Sequence, residues 1–278
     1  MKTFAGQNAV ITGAAAGIGA AIAKALCERG ARVLLGDVEV DKAERIAASL
    51  REEGHAAHAH FVDVSQRESV EALARHAFAL FGAVHLLFNN AGVGIGGSLE
   101  KVKPGAFQWV FGVNVTGVYH GAAAFAPHML AHGAPARIIN TASEHAVGLP
   151  PRGGQVTTYT ATKHAVLGMS DAMRRDYAGT NLSVSVICPG LVQSEIWNTL
   201  RNRPDYAGGP RQSDPKYGAE NQTGLPAAIA AARILDQIED GAFLVFTHGR
   251  DVRAIADARA LEMTRALDAF AARYGDDA

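Results

Sequence analysis

Three apolar residues, Ala9-Val10-Ile11, run directly into Thr12-Gly13-Ala14-Ala15-Ala16-Gly17-Ile18-Gly19, and an alanine-rich stretch continues to about Arg29, where Gly30 ends it. A strand that enters a glycine turn and leaves as a helix admits few folds. It places the unpaired N–H groups of a helix N-terminus above the end of a parallel strand. Those donors and the positive end of the helix dipole suit a pyrophosphate. Alone, the turn also fits an ordinary tight connection. Its position after the first strand favours a nucleotide.

The alternation then repeats. Apolar strands are expected at 32–37, 57–64, 86–88, 137–141, 184–188 and 242–247. Helices are expected at about 41–53, at 67–81, from about Lys103, around Tyr159, from Pro226, and over roughly 251–274. This order predicts an α/β chain folded as one doubly wound, Rossmann-like domain over 1–278, with a seven-stranded parallel sheet and ligands beyond the strands' C-terminal ends. Between 195 and 224, Trp197, Tyr206 and Tyr217 are scattered among prolines and glycines with no long period, which is the composition of a substrate lid. Ile255, Leu261, Leu267 and Phe270 would let the last helix pack on one side, either covering the core or adding to an interface.

Candidate site residues fall at strand ends. Asp37 closes the second strand, where an acid bonds both hydroxyls of an adenosine ribose and repels a 2′-phosphate. Neither Ala16 nor Val38 offers a cation for that phosphate, which favours NAD over NADP; the plainer reading is a cap for the next helix. Asp63 suits an adenine amino group. Asn89-Asn90-Ala91-Gly92 supplies the small and amide residues that a flat ring against the sheet needs. Asn114 lies in a run of apolar and small residues from Val110 to Val118 and must be hydrogen-bonded there. Its task is structural, or it holds a water next to Lys163.

Tyr159 and Lys163, four apart, share one helix face. Lowering a phenol from a pKa of ~10 to ~7 takes roughly 4 kcal/mol, about what one ammonium ~4 Å away supplies at an effective dielectric of ~20. The pair can therefore make a tyrosinate that takes a proton from an alcohol. Ser143 offers a matching hydroxyl.

With 26 basic and 27 acidic residues mixed along the chain, no charge block points to nucleic acid or an anionic membrane. Two cysteines, Cys27 and Cys188, are too few for a disulfide framework. No signal peptide or membrane span is read, and a cytoplasmic protein is expected. His58 and His60 share a strand face beside His55, but no Cys or close acid completes a ligand set, so no metal is expected.

Together, residues 12–19, Asp63, Asn89-Asn90-Ala91-Gly92, Asn114, Ser143, Tyr159-Thr160-Ala161-Thr162-Lys163 and Pro189-Gly190 closely resemble the short-chain dehydrogenase/reductase family, in the family's order and over residues 12–194. The resemblance implies Tyr159 as catalytic acid/base, Ser143 holding the reacting oxygen, and Lys163 on the nicotinamide ribose, with Asn114 anchoring a relay water. It places the cofactor, NAD, on Gly13, Ala15, Ala16, Gly17, Ile18, Gly19, Asp37, Asp63, Val64, Asn90, Tyr159, Lys163, Pro189, Gly190, Val192 and Ser194. Val192 would contact the carboxamide through its backbone, and Ser194 stands where the family usually has Thr. Two departures stand out: a long loop from Ser143 to Tyr159 opening on Glu144-His145, and the extra C-terminal helix.

The activity expected is interconversion of a secondary alcohol and a ketone by hydride transfer. Glu144, His145 and Trp197 are candidate substrate contacts, the first two being otherwise solvated loop residues. Trp197, Tyr206 and Tyr217, with Val147 and Leu149, suggest a bulky apolar or aromatic substrate; relatives of this layout act on steroids, aryl ketones and lignin-derived alcohols. A nucleotide-sensing regulator and an epimerase or dehalogenase on the same scaffold are the alternatives. The resemblance also implies a homodimer or homotetramer.

Overall fold

Strand β1 (Asn8–Thr12) is buried at every position, as a parallel strand covered on both faces must be. Each of its residues from Ala9 to Ile11 sits between two partners: Ala9 lies between Val33 of β2 (Arg32–Asp37) and Leu86 of β4 (Leu86–Asn89). With β3 (Ala57–Phe61), β5 (Ala136–Thr141), β6 (Leu182–Cys188) and β7 (Leu244–Phe246), these form one seven-stranded parallel sheet in the order β3-β2-β1-β4-β5-β6-β7. The computed structural model describes residues 4–150 and 154–275, so Pro151 and Gly153 of the expected exit loop lie outside the described residues. The chain winds outward from β1 to β3, then restarts at β4 on the other side of β1. That reversal leaves a crevice above β1 and β4, where ligands of such sheets bind.

Helices cover both faces. Ile22 and Leu26 of α1 (Gly17–Glu28) and Ile234 and Leu235 of α8 (Ala227–Glu239) join one core with Ile11, Leu35 and Ile187. On the other face, Leu73 of α3 (Arg67–Phe81) and Phe125 and Met129 of α5 (Gly117–Ala131) pack with Val10, Leu87 and Ile138. The remaining helices are α2 (Val40–Glu52), α4 (Pro104–Phe111), α6 (Thr157–Asp176), α7 (Pro215–Asn221) and α9 (Arg250–Tyr274).

Several elements differ from expectation. β3 stops at Phe61 rather than running to Val64, because its neighbour β2 ends at Asp37, the partner of Phe61. Asp63 and Val64 therefore stand in the loop beyond the sheet. The long helix from about Lys103 is two helices joined by a π turn over Gly112–Thr116, and Asn114 is in that turn. The lid at 195–224 is not structureless: it holds two 3₁₀ turns (Ile196–Asn202 and Asp205–Ala207) and α7, whose N-terminus Asp214 caps by accepting the Lys216 N–H at 3.0 Å. Only the start of α9 packs. Val252 and Ile255 are buried, with Ile255 against Gly148, whereas Leu261, Leu267 and Phe270 are exposed. The helix projects and does not cover the core.

A buried polar chain ties the sheet to α6. Asn89 donates to Asn140 Oδ1 (2.9 Å), Asn140 donates to Ser170 Oγ (3.0 Å), and Ser170 donates to the Val166 carbonyl (2.7 Å). Gly121 of α5 leaves room for it: a Cβ there would lie 2.1 Å from Asn89 Oδ1. Gly121→Ala should therefore cost about 2–3 kcal/mol, more than its gain in helix propensity returns. A denaturation midpoint equal to or above that of the unaltered protein would refute this packing account.

Among the described residues, no helix is long and apolar enough to cross a membrane.

Candidate active site

The glycine turn is shaped by contacts that only hydrogen permits. A Cβ at Gly13 would stand 2.7 Å from Ala91 Cα, and one at Gly19 would stand 2.2 Å from the Gly13 carbonyl oxygen. Gly17, at φ +54°, abuts Ser194. Asn90 fixes the turn from behind, its Nδ2 donating to the Thr12 and Gly13 carbonyls (3.0 and 3.1 Å). Ala16 supplies no side-chain cap to α1, so Gly17, Ile18 and Gly19 present their N–H groups toward the crevice.

Asp37 closes the far side of the turn. One carboxylate oxygen accepts the Ala15 N–H and the other the Glu39 N–H, each at 2.9 Å. Burial raises Asp37 above the usual carboxylate range, and the two backbone donors pull it back down. Asp63, next along the rim, accepts the Ser65 N–H and hydroxyl on one oxygen (3.0 and 2.7 Å). Val64 lines the same rim.

A single cavity of about 1290 Å³ runs from Asp37 and the glycine turn to Ser143, Tyr159 and Lys163. Ser143 and Lys163 are buried. Lys163 donates to the Thr141 carbonyl at 2.8 Å and lies 5.5 Å from the Tyr159 ring centroid. Burial pushes the Tyr159 phenol up to about 12, with a hydrogen bond from Ser143 pulling down and Glu144 adding to the rise. Burial also pushes the Lys163 ammonium down to about 8. Desolvation opposes the charged form of both groups.

Asn114 has a structural task. It accepts the Val93 N–H (2.8 Å) and donates to the Val93 carbonyl (2.9 Å) and to Thr162 Oγ1 (3.0 Å). Thr162 in turn donates to the Tyr159 carbonyl (2.7 Å), so the π turn anchors α6. Both Asn114 Oδ1 and Lys163 Nζ lie within 3.6 Å of the point where a Gly92 Cβ would be.

Pro189 and Gly190 follow β6. The Pro189 carbonyl accepts the Glu144 N–H (2.8 Å), and the Gly190 N–H is donated to Thr247 Oγ1 (3.2 Å). Asn221, which the sequence did not mark, is buried and grips the next segment. Its Nδ2 donates to the Val192 carbonyl (3.1 Å) and its Oδ1 accepts the Ser194 N–H (2.7 Å). An amide in a loop-rich stretch carries no periodic signal, so only the fold reveals it.

Glu144 and His145 are half-buried cavity residues rather than solvated ones. Burial, then Asp251, raises the Glu144 carboxyl; burial, then His164, lowers His145. The His145 ring stands edge-on to Tyr159 at 5.6 Å, with Nδ1 2.9 Å from Thr160 Oγ1. Trp197 packs over Gly218, and with Tyr206, Tyr217, Val93, Ile95 and Leu200 it lines the lid side. Val147 and Leu149 do not line the cavity: Val147 joins the core around Val186, and Leu149 is exposed.

Among the described residues no group of three His, Cys, Asp or Glu is placed to hold a metal ion, and His60 stacks on His76 with ring centroids 4.7 Å apart.

Known proteins share this arrangement. The family model described as short chain dehydrogenase matches residues 7–205. C alpha-dehydrogenase of Sphingobium sp. (strain NBRC 103272 / SYK-6) is 32% identical over 254 residues, 89% of this chain and 82% of its own. The 1-deoxy-11-beta-hydroxypentalenate dehydrogenase of Streptomyces exfoliatus is 38% identical over 221 residues, 79% of this chain and 78% of its own. A solved short chain dehydrogenase/reductase from Burkholderia phymatum in complex with NAD superposes with a TM-score of 0.86 at 34% identity, covering 95% of this chain and 97% of the other.

Proposed function

The chain belongs to the short-chain dehydrogenase/reductase family of oxidoreductases, and from that premise we propose that it interconverts a bulky secondary alcohol and its ketone, using NAD. The observation that carries this reading is the single cavity joining Asp37 and the glycine turn at one end to Ser143, Tyr159 and Lys163 at the other. The residues fit the dinucleotide. Gly13, Gly17 and Gly19 let the turn close tightly on Ala91, Ser194 and the Gly13 carbonyl, and the uncapped N-terminus of α1 borders the cavity through Gly17 and Ile18. When bound, the oxidised nicotinamide accepts a hydride and brings a positive charge.

Ser143 and Tyr159 hydrogen-bond the alcohol oxygen, and Tyr159 takes its proton during oxidation or returns it during reduction. Burial keeps the phenol protonated; giving up that proton during reduction and taking one during oxidation both call for nearby positive charge, which Lys163 supplies in part. Lys163, fixed on the Thr141 carbonyl, faces the nicotinamide ribose. Asn114 holds α6 in place, and a water between its Oδ1 and Lys163 Nζ, beside Gly92, would carry the proton onward. Asp37 favours a free ribose 2′-hydroxyl, and the Burkholderia phymatum protein was solved with NAD.

The substrate is apolar and large. Trp197, Tyr206, Tyr217, Ile95 and Leu200 support that reading, as does the 1-deoxy-11-beta-hydroxypentalenate in the name of the Streptomyces exfoliatus relative. The protein is proposed to act in the cytoplasm as a homodimer or homotetramer, in keeping with the exposed Leu261, Leu267 and Phe270 of α9. The test is NADH formation across a panel of secondary alcohols. Turnover of aryl and polycyclic alcohols is expected, with small sugar alcohols at least about tenfold poorer, since each methylene left unburied forfeits ~0.8 kcal/mol. Turnover of small polyols alone would reject the bulky-substrate reading.

A further inference from the structure

The lid carries a guanidinium to the adenosine end of the cleft. Arg201, at the end of the first 3₁₀ turn of the lid, donates to both carboxylate oxygens of Glu39 (3.2 and 2.5 Å) and to Glu195 (2.8 Å). Lys42 of α2 completes the group by pairing with the other Glu195 oxygen at 2.5 Å. Arg201, Glu39 and Glu195 line the cavity beside Asp37 and Val38, where the ribose of a dinucleotide would lie. The hydrogen bonds from Arg201 hold Glu39 below the usual carboxylate range. Two cations therefore face three carboxylates, counting Asp37, and the local balance is negative.

We propose that Arg201 sets the choice between the two nicotinamide dinucleotides: Glu39 and Glu195 hold its guanidinium and so withhold it from a 2′-phosphate. The proposal rests on the dinucleotide reading above and adds a second determinant to Asp37. A guanidinium is the side chain best matched to a phosphate, through paired N–H donors. Here its fork is already filled by a carboxylate of the same geometry. A phosphorylated ribose would have to displace Glu39, beside the fixed charge of Asp37. The same bonds tie the lid to the segment between β2 and α2, so the selectivity depends on the lid being in place.

The test is direct binding of NADH and NADPH, followed by reduced-nicotinamide fluorescence, which requires no substrate. In the variant Glu39→Gln with Glu195→Gln, Arg201 is released, and the Kd for NADPH should fall at least about tenfold while that for NADH changes by less than about threefold. The gain should shrink steeply with salt, as a phosphate–guanidinium contact requires. Adding Arg201→Gln should remove it. An unchanged NADPH affinity in the double variant would overturn the proposal, and so would a gain that persists without Arg201, which would assign it to Lys42. If the unaltered protein bound neither nucleotide, the dinucleotide reading itself would fall, and this proposal with it.

Discussion

Replacing Tyr159 with Phe should lower kcat/KM by about 10³-fold or more while the Kd for NADH stays within about threefold. The substitution deletes one oxygen and leaves the ring that fills the space beside His145. Everything that shapes the cofactor end, from Gly13 to Asp37, is untouched. The loss should appear in kcat and in kcat/KM alike, because the proton is transferred only as the reaction proceeds. Burial already raises the phenol, so removing its hydroxyl also removes a desolvated polar group, and the variant should fold at least as well. A variant that turned over at even a tenth of the normal rate would remove Tyr159 from the proposed role.

Lys163→Met should pull activity and stability in opposite directions. The buried ammonium is pushed from 10.5 down to about 8. A lowered lysine costs the fold whenever it is charged in the native state. Below about pH 8 the full cost is present, and it is relieved as pH rises from about 8 to 10.5, where the unfolded chain holds more protons than the folded one. The difference corresponds to about 3 kcal/mol, from which the lost bond to the Thr141 carbonyl subtracts about 1. At pH 7 the variant should therefore be about 2 kcal/mol more stable than the unaltered protein, and this advantage should vanish and become a deficit of about 1 kcal/mol as pH rises from about 8 to 10.5. Comparing the two proteins cancels the buried thiol of Cys27, which burial pushes up to about 11 and which acts in the opposite sense over that range; Cys188 does not cancel, because Lys163 pulls its thiol down against burial. Turnover should fall by about 10²-fold or more. A variant less stable at pH 7, or a gap independent of pH, would show that the ammonium is better solvated than its burial implies.

Much of the architecture was legible because each strand end carries its own chemistry. The first turn, Asp37, the Asn89–Gly92 run and Pro189-Gly190 mark where strands stop, and a parallel sheet gathers its strand ends on one edge. Spacing along the chain could bring Tyr159 and Lys163 to one face. It could not show that burial opposes the charge on both groups. Val147 was misjudged for a related reason: an apolar residue in a long loop reads the same whether it points to a cavity or to the core. Arg201 and Asn221 were invisible because their partners lie 162 and 29 residues away, across a lid with no period to fix its path. The choice between the two expectations for α9 was not legible either, since apolar residues at helical spacing do not reveal which surface they meet.

The π turn at Gly112–Thr116 has a consequence for how this site tolerates change. A π turn carries one residue more than a regular helix would need there, and that surplus swings the Asn114 amide toward Val93 and Thr162. Shortening the chain by one residue would give a smoother rod with better local pairing, and would rotate the amide off its three partners. Regularity and aim are rivals at that bend, so a change that looks like a repair would misalign α6 from a distance.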